Sequence, residues 1–160
     1  MKYTQWHVSP SIAAQTEAAL QRGRYEVFAI WTTGYDREQT AQMSASITQC
    51  VIPAQTPGET PDGVYVHIAG AELQRIQIDN YRRKERSVVQ LHTHPGADVR
   101  MSSLDRKWEV VRHVGALSII VPFYGLRGLS LLDGANIYER EVEDWRLWSR
   151  QETAERLVML

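Results

Sequence analysis

The stretch SVVQLHTHPGADVRMSSLD, residues 87–105, constrains the fold more than any other part of the chain. Val88, Val89 and Leu91 carry a strand pattern into His92 and His94, and Pro95-Gly96 ends it. A loop then leads to Ser102 and the start of a helix, with Asp105 in its first turn. A strand that turns through a short polar loop into a helix calls for a sheet with helices packed on it. Side chains alternate along a strand, so His92 and His94 project to one side and Thr93 to the other.

The flanking sequence extends the same scheme. Ser9-Pro10 followed by SIAAQTEAALQRG reads as a capped helix ending near Gly23, with Ile12, Ala19 and Leu20 on its core face. YEVFAIWTTG (25–34) is a buried strand, and AQMSASITQCVIP a second one with Met43, Ala45, Ile47 and Gln49 on one face. The segment 53–63, dense in proline and glycine, reads as a loop. VYVHIAG (64–70) is a short strand with Val64, Val66 and Ile68 opposite Tyr65 and His67. AELQRIQIDNYRRK is a helix with Leu73, Ile76 and Tyr81 as core contacts. A third helix runs from Ser103 to Gly115, placing Leu104, Trp108 and Val111 on one face, with Trp108 and Trp145 as core residues. ALSIIVPFYG is a buried strand, and 128–141 reads as a hairpin turning at Asp133-Gly134. Ser149 and Glu152 form a capping box for a short terminal helix. The expected class is α/β: residues 1–160 as one domain, a mixed, mostly antiparallel sheet flanked by about three helices.

Composition removes several function classes. A formal net charge of −1 gives no reason to expect nucleic acid or an anionic membrane as partner, and Arg82, Arg83, Lys84 and Arg86 read as a solvated helix end. Cys50 is the single cysteine, which excludes an intrachain disulfide and a thiolate-rich zinc knuckle, and it reads as a strand residue rather than a nucleophile. The opening MKYTQWHVSP has no apolar signal core, and the longest apolar stretch, around Leu117 to Tyr124, is too short to span a bilayer. A cytoplasmic protein is the expectation.

Each polar residue of the 91–105 stretch has an ordinary reading when taken singly. A histidine at a strand end is commonly a surface residue, Ser102 or Ser103 can be a helix cap, and Asp105 can complement a helix dipole. Together they offer two imidazoles and a carboxylate, three donors suited to Zn²⁺, with a fourth position left for water. Glu26 adds a further signal, because a carboxylate in an apolar strand is costly to bury without a purpose. His7, His67 and His113 lack ligand spacing and read as structural or surface residues, while Asp98 is solvated or orients a ligand histidine.

The pattern His92-Thr93-His94, Ser102, Asp105 resembles the His-x-His-x7-Ser-x2-Asp signature of the JAMM (JAB/MPN) zinc metalloproteases, and Glu26 stands where that family places its upstream glutamate. The resemblance spans essentially the whole chain and is nearest to the stand-alone prokaryotic members. It implies a JAB/MPN-like fold, with Zn²⁺ held by His92, His94 and Asp105. It also implies Glu26 as general base and then acid, and Ser102 as a donor to the developing oxyanion. The implied reaction is hydrolysis of the peptide or isopeptide bond after the C-terminal glycine of a ubiquitin-like protein, beside activating or conjugating enzymes of the same operon, some in anti-phage systems. Two further readings share the resemblance: release of an amino acid from a ubiquitin-like sulfur carrier, and an inactive scaffold. The chain departs from the family pattern at Ala29, where glycine is common, and at Met101, where many members have proline.

Overall fold

The computed structural model of the protein describes residues 3–34, 44–61, 63–129 and 134–160. Its sheet contains β1 (Gln5–Val8), β2 (Phe28–Gly34), β3 (Ser44–Val51), β6 (Glu85–Thr93), β7 (Leu117–Val121), β8 (Asn136–Arg140), β9 (Trp145–Leu147) and β10 (Leu157–Met159), in the order β10-β1-β3-β2-β6-β7-β8-β9. β1 pairs in parallel with β10 and β3, and β6 with β7; the other four pairings are antiparallel. β4 (Thr56–Thr60) and β5 (Gly63–His67) form a separate antiparallel hairpin. Four helices occur among the described residues: α1 (Pro10–Leu20), α2 (Gly70–Arg83), α3 (Ser103–Lys107) and α4 (Arg150–Arg156). This is the expected α/β class with a mixed sheet.

The two faces of the central strands bury two cores, as the period-2 pattern requires. On one face Ala29 and Trp31 of β2 and Leu91 of β6 pack with Trp6, Ile12, Leu20 and Ile119. On the other, Phe28 and Ile30 pack with Val66, Ile76, Val99, Met101 and Tyr138. Helix α1 forms where expected: the Ser9 hydroxyl accepts from the Ile12 N–H at 3.2 Å and Pro10 occupies the first turn, where no amide donor is needed. Ile12, Ala19 and Leu20 are buried. Helix α4 carries its capping box at Ser149 and Glu152.

Several expectations need correction. The segment 53–63 is not a plain loop but supplies β4, in an isolated hairpin that tolerates Pro57 because a strand outside the main sheet need not donate everywhere. Gly58 faces Tyr65 across this hairpin, and a Cβ there would lie 2.3 Å from the tyrosine ring, so close approach demands glycine. The third helix stops at Lys107, eight residues short of Gly115. The amides of Val110 and Val111 both donate to Gln90 Oε1 at 2.9 Å instead of to carbonyls one turn back, and two adjacent β-branched residues are poor at holding a helix against such competition. Trp108 is consequently 38% exposed rather than core, whereas Trp145 is buried. Tyr81 points outward and is 68% exposed, leaving Ile76 and Leu73 to hold α2. Met43 and Asp133, the first residue of the expected Asp133-Gly134 turn, lie outside the described residues; β8 pairs with β7 and β9. No helix of the described residues is long and apolar enough to cross a membrane.

Candidate metal centre

The parallel pair β6/β7 ends beside the loop that carries the site. His92 is the next-to-last residue of β6, in register with Phe28 of β2 and Ile120 of β7. The Phe28 ring stacks on its imidazole at 6.0 Å and 7°. His94 lies just beyond the strand, yet its backbone is held on both sides: its N–H donates to Val121 O at 2.8 Å, and its carbonyl accepts from Tyr124 N–H at 2.8 Å. Phe123 and Tyr124 adopt left-handed backbone (φ +54° and +52°) in the turn that provides this contact, a conformation unusual for aromatic residues.

Helix α3 brings in the carboxylate. The Ser102 hydroxyl accepts from Asp105 N–H at 3.0 Å while Asp105 Oδ2 accepts from Ser102 N–H at 2.8 Å, a complete capping box. The cap fixes Asp105 Oδ2 and leaves Oδ1 turned toward His92 Nε2, 3.1 Å away. His94 Nε2 lies 3.2 Å from Oδ2 and 3.1 Å from His92 Nε2. One ligand atom from each of the three residues thus falls within 4.8 Å of the others.

The proton positions sharpen what this cluster can bind. His94 Nδ1 lies 2.7 Å from Asp98 O, a carbonyl that can only accept, so the proton sits on Nδ1 and the Nε2 lone pair faces the cluster. In the neutral ring that lone pair meets the carboxylate, and only a cation reconciles them, either a proton that makes His94 a charged donor to Asp105 or a metal ion. Four-coordinate zinc with bonds of about 2.0–2.1 Å sets neighbouring ligand atoms about 3.3 Å apart, close to the separations observed. The donor set therefore fits such an ion. Burial pushes the Asp105 carboxyl upward, but hydrogen bonds from His92, His94 and the Ser102 amide outweigh it and hold the group well below the usual carboxylate range. Burial depresses His94, and Asp105 overcomes it, so the imidazole is raised.

Glu26 lies two residues before β2 rather than within it, in a short connection tied to β6 by Val27 N–H to Thr93 Oγ1 (3.0 Å) and Thr93 N–H to Val27 O (3.2 Å). It is only 4% exposed. Desolvation pushes its pKa up to about 8, offset in part by the His94 charge and reinforced by Asp105. Glu26 shares with His92, Asp105, Gln90, Tyr65 and Trp108 a cleft of about 20 Å³, space for roughly one water. All five residues singled out in the sequence, Glu26, His92, His94, Ser102 and Asp105, thus meet in one place. Asp98 enters through its backbone, while its side chain pairs with Arg100 at 2.8 Å.

Sequence reasoning missed Gln90, whose buried amide ties the chain after α3 to β6 and donates to Ser118 Oγ at 3.2 Å. A glutamine inside an apolar strand run was the available signal. It also missed the aromatic lip, where Tyr65 stacks on Trp108 at 6.4 Å and His67 meets Trp108 edge-on at 5.3 Å. His7 and His113 stay outside the cluster: His113 bonds Ser87 O and Arg86. Cys50 sits half-buried in β3, its thiol pushed up by burial.

No protein-family model matches the chain. A protein of Sinorhizobium fredii (strain NBRC 101917 / NGR234), named a probable metalloprotease, is 33% identical over 112 residues, which are 70% of this chain. The chain spans 65% of the length of that curated relative. Solved structures share the fold. A protein from Desulfitobacterium hafniense, solved in solution, superposes with a TM-score of 0.62 at 9% identity, covering 98% of this chain and 93% of the other. The crystal structure of a JAB1/MPN domain protein from Archaeoglobus fulgidus gives a TM-score of 0.50 at 13% identity, covering 98% of both chains.

Proposed function

We propose that the chain, which shares the fold of a JAB1/MPN domain protein and is 33% identical to a probable metalloprotease, is a JAB/MPN (JAMM) zinc-dependent hydrolase of the bond after the C-terminal glycine of a ubiquitin-like protein. The observation that carries this reading is the convergence of His92, His94 and Asp105 beside a buried glutamate with a raised pKa. His92 Nε2, His94 Nε2 and an Asp105 oxygen would hold the ion. Zinc bound there would polarise the scissile carbonyl and acidify a water in the open position.

The chain's own groups do the rest. Glu26 is the proton carrier: its carboxylate takes a proton from the attacking water and returns it to the leaving amine. A buried carboxyl whose pKa stands near neutrality can do both, because neither direction of transfer is steeply uphill. Nearby cationic charge lowers that pKa and prepares the group as a base, as His94 already does in part. Ser102 spends its oxygen lone pair on the Asp105 amide, leaving its O–H free to donate to an oxyanion. The narrow cleft between Tyr65, Trp108 and Glu26 suits small residues at the scissile bond, and glycine is the smallest. Activating or conjugating enzymes encoded beside it are the partners this reading calls for.

The test is a fluorogenic amide of a Gly-Gly-ended peptide, offered to the zinc-loaded protein with and without a chelator. Cleavage abolished by chelation and by Glu26→Gln supports the hydrolase. Cleavage that survives both would mean a different site does the chemistry.

A further inference from the structure

We propose that Tyr138 is a positioning residue for the metal centre, acting through the backbone of Met101 on the Ser102–Asp105 capping box. The inference rests on the reading that His92, His94 and Asp105 bind a metal.

Met101 immediately precedes the serine that caps α3, and both of its backbone polar groups are taken. Its N–H donates to the Tyr138 hydroxyl at 3.1 Å, and its carbonyl accepts from Arg106 Nη1 at 3.1 Å. Tyr138 is itself fixed. It lies on β8, is 8% exposed and sits in the same core as Phe28 and Met101. Its oxygen also accepts from Asn136 Nδ2 at 3.2 Å, and the same amide donates to Val99 O at 3.1 Å. Two residues of β8 therefore hold the chain at 99 and 101, directly ahead of the cap.

The geometry gives this anchor leverage on the metal ligands. Asp105 Oδ2 is oriented by the Ser102 N–H, so a shift of the Ser102 backbone moves the carboxylate that faces both histidines. Tyr138 does not line the cleft, and its hydroxyl bonds Met101 N–H and Asn136 rather than a ligand. A proline at 101 would have no N–H to bond and a fixed φ of its own. With methionine there, the amide is a donor, and the tyrosine both satisfies it and supplies the restraint.

The test is Zn²⁺ affinity of the full chain, measured by competition with a chromophoric chelator, in wild type and Tyr138→Phe. Groups that orient metal ligands typically change affinity 10–100-fold, and the expectation is about tenfold weaker binding. The visible spectrum of the Co²⁺-loaded variant should also change, since Asp105 no longer holds one position. Tyr138→Phe/Met101→Pro should recover most of the lost affinity, because the orphaned amide is gone. Affinity within twofold of wild type with an unchanged Co²⁺ spectrum overturns the proposal, even if thermal stability falls, since that is a packing role alone. Should Tyr138→Phe not fold, Asn136→Ala decides, with weakened Zn²⁺ binding expected and unchanged binding overturning it. A wild type that binds neither Zn²⁺ nor Co²⁺ overturns the metal-site reading itself, a different result from a wild type and variant that bind equally.

Discussion

Two glutamates are buried among the described residues, and their surroundings differ in every respect that matters. Glu139 on β8 is fully buried and sits 2.8 Å from Arg156, with Arg146 at 4.0 Å and Trp148 Nε1 at 3.3 Å. The Arg156 guanidinium in turn lies over the Trp148 ring at 4.5 Å. Glu26 is as buried for practical purposes, yet it has no arginine or lysine partner among the described residues. Its neighbours are a histidine, an aspartate and a cleft. A buried carboxylate paired with a permanent cation holds elements together, here β8, β9 and α4. One set among groups that titrate keeps a movable proton, which is what a chemical step needs. Burial alone therefore does not mark a functional carboxylate; the kind of partner does.

The largest effect that would break this contrast is on turnover. Glu26→Gln should lower cleavage by about 10²–10⁴-fold, the worth of a positioned acid–base group, while leaving the fold intact. Glu139→Gln should change turnover by far less. Comparable losses in the two variants would erase the distinction.

The next effect is on stability and depends on pH. In the metal-free folded chain Glu26 keeps its proton to about pH 8, whereas the unfolded chain releases it near 4.5. Folding takes up a proton between those values, so this contribution is full below the lower one and is lost as pH rises through the upper one. Denaturant unfolding of metal-free wild type should thus lose roughly 4 kcal/mol relative to Glu26→Gln between about pH 5 and 8. Parallel stability curves for the two proteins would mean that Glu26 titrates normally.

At a fixed pH, Glu139→Gln should destabilise by roughly 3 kcal/mol, the low end for breaking a buried ion pair, because Arg156 is 19% exposed and keeps Glu152 at 3.3 Å. A change under about 0.5 kcal/mol, the range of a neutral surface substitution, would demote the pair to decoration. The smallest effect belongs to the aromatic lip. Trp108→Ala should cost only about 1 kcal/mol, since the ring is 38% exposed and mainly loses its contacts with Tyr65 and His67.

The same contrast explains how much could be read from the sequence. Glu26 stood out because a carboxylate in an apolar strand run is costly to bury, and His92 and His94 because strand alternation puts them on one side. Ser102 or Ser103 had an ordinary reading as helix cap and Asp105 as a first-turn carboxylate; Ser102 is the cap, and the cap is what aims the aspartate. Cap and candidate ligand were never alternatives. Glu139 gave no comparable signal, because Arg156 is far along the chain and only the curled sheet brings the two together.

Long-range partners also account for the misread elements. Helical spacing at Leu104, Trp108 and Val111 was genuine, but Gln90, on another strand, takes the amides that would have continued α3. Strand β10 follows α4 without a break, and three residues carry too little pattern to reveal a parallel pairing with β1. The hairpin β4/β5 was hidden by Pro57 and Gly58, residues that argue against a central strand but not against an isolated one.

The most direct test of the central claim is the metal content of the purified protein by native mass spectrometry, for wild type, Asp105→Ala and Glu26→Gln side by side. One zinc per chain is expected in wild type and in Glu26→Gln, and none in Asp105→Ala, because the glutamate moves protons and the aspartate holds the ion. Loss of zinc in Glu26→Gln with retention in Asp105→Ala, or no zinc in any of the three after reconstitution, would contradict it.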